Sequence, residues 1–234
     1  MSADARQGRI EETQTDGRAE DPADRASERA GDPESAATSR AEVLARIIDS
    51  HDNEVGGGAA AALAAAMAAG LAGMVARLSV SHDLPLSAAA FEEMAHEADA
   101  LADELSRGAA DDVAAYARLK AAFGLPKDTE GAREARSAAI EEGLRYAAAV
   151  PLENARRADR VADICDTLQG RSNPAAASDL AVGGSLAEAG AAGCLLNVEV
   201  NTDSMRGGEA AEALLEEVAA LRGAQARRRG TGSG

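Results

Sequence analysis

An all-α fold, a multi-helix bundle around Ala- and Gly-rich central helices, is predicted by three features of this sequence. Alanine dominates and Gly contributes 23 residues, while aromatics make up 2% and Trp is absent. Such a composition suits closely packed helices and offers little to sheets. Apolar residues recur at helical steps, as in Phe91, Met94, Ala98, Leu101 and Leu105. Start and stop signals punctuate these runs, among them Ser39-Arg-Ala-Glu42, Gly124-Leu-Pro126 and Asn173-Pro174.

One helical domain is expected over residues 39–223, long enough at 234 residues in all for a substantial core. Residues 1–38 read as a disordered acidic tail: Ile10 is their only large aliphatic residue, and they hold ten acids against five Arg. Residues 224–234 read as a disordered C-terminal tail. The formal net charge of −16 argues against nucleic acid or an anionic membrane surface as partner. Nothing at the N-terminus resembles an apolar signal core, so a cytoplasmic location is expected.

A short first helix follows the capping box, with Val43, Leu44, Ile47 and Ile48 as its buried edge. After Gly56-Gly57-Gly58, residues 59–76 carry no charge and eleven of these eighteen are Ala. That length would suffice for a membrane span, but Ala contributes little to insertion and anchoring residues are lacking. A buried central helix is the better reading. Its large residues Leu63, Met67, Leu71, Met74 and Leu78 form one stripe.

The third helical stretch is expected in two parts around Gly108, followed by a helix from Asp128-Thr129 that Pro151 kinks or restarts. Gly170 stops it; Asn173 and Pro174 open a long Gly-spaced helix, and Leu214, Leu215, Val218 and Leu221 mark the last. Small side chains on these helices leave flat, closely packable surfaces, which favours a homodimer. Cys165 and Cys194 have apolar neighbours and read as small core residues, and the three His show no ligand spacing.

Asp111 to Lys127 carries the chemistry. Asp112, Tyr116, Leu119 and Phe123 share one helical face, so Asp112 is an acid on an apolar stripe. It either caps a helix restarted after Gly108 or sits in a pocket, where burial would raise its pKa. Pro126 fixes Lys127 in a kinked loop. The three glycines opening the uncharged helix are by themselves either a plain flexible turn or N–H groups that can receive an anion or a ring carbonyl.

Asp112-x-x-Ala-Tyr116 followed by Leu125-Pro126-Lys127 resembles the cyclodeaminase domain of formiminotransferase-cyclodeaminases and their stand-alone cyclohydrolase relatives. Gly56-Gly57-Gly58, Val150-Pro151-Leu152, Asn173 with Ser178-Asp179, and Asn197-Val-Glu-Val-Asn201 continue the resemblance in register over about residues 40–222. Val55 and Ala59 depart from the family's Pro and Ser, and its Lys-rich run is missing near residues 81–85.

The resemblance implies an enzyme of folate one-carbon chemistry that needs no metal or redox cofactor. It would hydrolyse 5,10-methenyltetrahydrofolate to 10-formyltetrahydrofolate, or close 5-formiminotetrahydrofolate with release of ammonia. A folate-binding or structural relative without catalysis is the third reading. Asp112 and Asp179 are then expected to converge as catalytic carboxylates, with Lys127 holding an oxyanion or a folate carboxylate. Substrate contacts are expected from Gly56, Gly57, Gly58, Tyr116, Asn173 and Ser178. Asn197, about 27 Å along the helix from Asp179, is expected to be structural or to serve a subunit contact.

Overall fold

The computed structural model describes residues 39–205 and 207–231. Six α-helices account for nearly all of them: α1 (Arg40–Ile48), α2 (Gly57–Ser79), α3 (Ala88–Phe123), α4 (Glu130–Leu168), α5 (Ala177–Asp203) and α6 (Glu209–Thr231). No strand occurs among the described residues. The tail expected at residues 1–38 lies outside them.

The predicted caps are in place. Ser39 Oγ accepts from the Glu42 N–H and Thr129 Oγ1 from the Ala132 N–H, each satisfying an orphan amide of a first turn. Asn173 Oδ1 accepts from the Ala175 N–H, opening a 3₁₀ turn at Pro174–Ala176 that leads into α5. Gly170 ends the chain's approach with φ 68°, in the left-handed region.

Four expectations about elements are corrected. Gly108 does not divide α3, which runs unbroken for 36 residues. Its missing side chain serves close packing, because a Cβ there would lie 2.7 Å from Asn154 Cγ of α4. Pro151 does not restart α4, which continues through it. The helix α6 runs to Thr231 rather than fraying at residue 224, held by Arg228, whose Nη2 reaches Asp159 Oδ1 at 2.6 Å. In α1 only Val43 is buried, while Leu44 and Ile48 face outward.

Alanines, not the large residues, make α2 the centre of the bundle. Ala59, Ala62, Ala65, Ala68, Ala69, Ala72 and Ala76 are fully buried, whereas Met67, Met74 and Leu78 of the predicted stripe are exposed. Small residues let neighbouring backbones approach closely on several sides, and α2 packs chiefly against α3 and α5. Gly183 lies over Ala68 and Leu71, Gly190 over Ala61 and Ala65, and Gly193 over Ala61, so α2 and α5 run antiparallel. Among the described residues two helices are long and apolar enough to cross a membrane, but α2, the more apolar, has 67% of its apolar window buried inside the bundle.

Phe91, Leu105, Ile164 and Leu168 supply the bulk of the core around α2. The antiparallel pairing fixes the site, since it sets the start of α2 beside the C-terminal half of α5.

Candidate functional site

Asp112 sits at the start of α2. Its carboxylate accepts a hydrogen bond from the Ala59 N–H, one of the donors the first turn leaves open. Gly58 makes this approach possible: a Cβ there would lie 2.6 Å from Asp112 Oδ2 and 2.7 Å from Cγ. The three glycines expected to receive a substrate oxygen thus first admit the chain's own carboxylate. No cation pairs with Asp112 among the described residues. Burial raises its pKa to about 6, against the smaller lowering effect of the Ala59 N–H.

Asp112 opens into a cavity of about 280 Å³ that Gly56, Gly58, Tyr116, Asn197 and Asn201 help to line. Asn197 Nδ2 donates to the Gly193 carbonyl at 2.9 Å and stands 3.7 Å from where a Gly57 Cβ would be. Asn201 Nδ2 donates to the Ala147 carbonyl at 2.8 Å. That carbonyl is the one freed by Pro151, which has no N–H to return to the residue four positions earlier. Proline and asparagine on two different helices thereby complete one backbone bond at the cavity wall.

Asn197, expected to be structural or to serve a subunit contact, also lines the cavity. Asn201 went unread as a site residue. Their four-residue spacing on an apolar helix pointed to both, and a proline elsewhere whose stranded carbonyl needed a donor pointed to Asn201.

Within one chain Asp179 does not meet Asp112. It occupies the first turns of α5, eighteen residues and about 27 Å from Asn197. Ser178 and Asn173 lie at that same far end, where Asn173 Nδ2 donates to the Leu78 carbonyl. Asn173 there borders a separate cavity of about 500 Å³, along with Cys165, Asp166 and Glu188. Lys127 stands apart again, exposed in a groove with Arg133, Arg136 and Glu141. Neither Asp179 nor Lys127 is among the groups that set the Asp112 pKa.

Cys165 and Cys194 are free and buried, and burial pushes their thiols up to about 11 and about 12. Both are therefore protonated, inert core groups near neutrality. No group of three or more His, Cys, Asp or Glu positioned to hold a metal occurs among the described residues.

Residues 40–220 match the family described as formiminotransferase-cyclodeaminase. The chain belongs to this family. It is 34% identical over 167 residues to a methenyltetrahydrofolate cyclohydrolase of Methylorubrum extorquens, covering 71% of this chain and 80% of that protein. A formimidoyltransferase-cyclodeaminase of Rattus norvegicus is 32% identical over 151 residues, 64% of this chain. The chain spans 28% of that longer protein's length. A crystal structure of formiminotetrahydrofolate cyclodeaminase from Thermotoga maritima shares the fold, with a TM-score of 0.68 at 23% identity over 77% of this chain and 86% of that one.

Proposed function

We propose that this member of the family is a folate enzyme that hydrolyses 5,10-methenyltetrahydrofolate to 10-formyltetrahydrofolate. The observation that carries the reading is the Asp112 carboxylate, buried without a cation beside it at the wall of a cavity. The methenyl bridge is itself a cationic amidinium, so substrate would supply the missing positive charge. Water then attacks the bridge carbon while Asp112 takes its proton. The tetrahedral intermediate collapses with cleavage of the bond from carbon to N5, leaving the formyl group on N10 and releasing one proton overall. Asn197 and Asn201 are placed to orient the water or the pterin, and Tyr116 to pack against the substrate. The chemistry calls for no metal or redox cofactor, and a cytoplasmic setting belongs to the same reading.

Homodimerisation is part of the proposal. The outer faces of α2 and α5 expose Met67, Met74, Leu78, Val182, Leu196 and Val200. Exposed large apolar side chains on two neighbouring helices support an interaction surface. A two-fold axis across the middle of α5 would lay Asp179, Ser178 and Asn173 of a second copy beside the Asp112 cavity. The two carboxylates would then converge between chains. Lys127 remains proposed as a contact for a substrate oxyanion or carboxylate.

Decay of methenyl absorbance, catalysed by the purified protein and abolished in Asp112→Asn, is the expected result; a rate no faster than the uncatalysed hydrolysis would overturn the reading. Similarity to the rat protein favours a second reading, cyclisation of 5-formiminotetrahydrofolate. Ammonia release from that substrate, without methenyl decay, selects it. Folate binding without turnover of either substrate selects the non-catalytic alternative.

A further inference from the structure

We propose that the groove adjoining the Asp112 cavity, between Arg46 and Lys120, receives the carboxylates at the glutamyl end of the substrate, a place Glu54 fills in the free protein. The inference rests on the folate reading above and names the residues that would set tail affinity. The groove, about 330 Å³, is lined by Arg46, Glu54, Val113, Tyr116, Ala117, Lys120 and Ala121. Tyr116 and Glu54 line the Asp112 cavity as well, so the two spaces share a wall.

Spacing along α3 gives the order of contacts. Asp112, Tyr116 and Lys120 recur every four residues, on one face, with about 6 Å of rise per step. Read outward from the cavity, the face offers a buried acid, an aromatic ring and a cation. A reduced folate carries the complementary groups in the same order: a cationic one-carbon bridge, an aminobenzoyl ring and a glutamate with two carboxylates.

Glu54 shows that a carboxylate fits between the cations. Lys120 Nζ donates to its Oε1, and Arg46 Nη2 lies 3.5 Å from its Oε2. Arg46 is committed more firmly to Asp52, whose Oδ2 accepts from Nε at 2.6 Å. The Glu54 contact is therefore the long one. Lys120 and Glu54 are 59% and 47% exposed, and a pair so exposed contributes little net stability. An incoming carboxylate can replace Glu54 at small cost, keeping both cations satisfied. Cations are needed locally for this, because the chain has a net charge of −16 and only two Lys.

The test compares wild type, Lys120→Gln and Glu54→Gln by KM for methenyltetrahydrofolate as monoglutamate and triglutamate, and by calorimetric Kd for 5-formyltetrahydrofolate. Lys120→Gln is expected to raise KM and Kd about five- to tenfold, with a smaller effect on kcat, through loss of a charge-assisted contact. Glu54→Gln is expected to lower both, because it removes the competitor. Equal Kd for wild type and Lys120→Gln would overturn the inference, as would Glu54→Gln weakening binding in parallel with Lys120→Gln. Binding that follows these opposite signs while turnover is absent keeps the subsite and rejects the catalytic reading. No binding of any reduced folate by wild type rejects both.

Discussion

At the scale of single residues, Asp112 is costly to the fold. Its carboxyl keeps a proton up to about pH 6 when folded, whereas an unfolded aspartate releases it near pH 4. Between these values the folded state binds more protons, so stability falls as pH rises and is lowest above pH 6. The rise from the ordinary value to about 6 corresponds to about 3 kcal/mol. Asp112→Asn should therefore be more stable than wild type at pH 8 by up to that amount, and the gap should close by pH 4. Denaturant midpoints of both proteins at the two pH values check this; a gap unchanged on acidification would mean burial does not set the effect. Turnover should show the opposite trade, with an acid limb near pH 6 and a loss of about 10²-fold in Asp112→Asn. Gly58→Ala should push the carboxylate off the start of α2 and lower turnover by a similar factor while the helical circular dichroism is retained.

Between elements, the bond joining α5 to α4 isolates a proline's effect on its neighbours. Asn201→Ala leaves the Ala147 carbonyl without its donor, at an expected cost of about 1–3 kcal/mol in unfolding free energy. Pro151→Ala returns a backbone N–H to that carbonyl. The double variant should therefore lose less stability than the sum of the single changes, and a double-mutant cycle from urea unfolding measures the coupling. Strict additivity would show that the two residues act separately. The α2–α5 contact has a similar point of rigidity. A Gly190 Cβ would lie 2.8 Å from the Ala61 carbonyl oxygen, so Gly190→Ala should cost about 1–3 kcal/mol through overpacking.

For the whole molecule, the open question of assembly has a sharp test in subunit mixing. If Asp112 and Asp179 converge between two copies, each single Asn variant is impaired alone. Mixed dimers would regain one site in which both acids are native. Activity recovered on mixing Asp112→Asn with Asp179→Asn, after co-refolding, is the expected result. No recovery, with heterodimers shown by mass, would place the two acids in independent roles. Met67→Glu sets a charge on the exposed face of α2 and should shift the solution mass to that of a monomer. Light scattering after size exclusion reads this directly.

The sequence by itself determined most of the helices, their caps and the placing of one acid on an apolar helix face. Those depend on local periodicity, on side chains three residues from an amide, and on an aspartate placed among apolar groups. Its ordered motifs likewise sufficed for the family. Which residues meet was decided only by the tertiary structure. The stripe Met67, Met74 and Leu78 was legible as a stripe, but the close fit of Ala and Gly against neighbouring helices turned it outward. Gly108 looked like a helix break because its contact, Asn154, belongs to another helix. Asn197 joined Asp112, and Asp179 was carried to the far end, because α2 and α5 pack antiparallel over their small residues. Spacing along one helix fixes a face and a distance; it is the packing of one helix on the next that brings residues together.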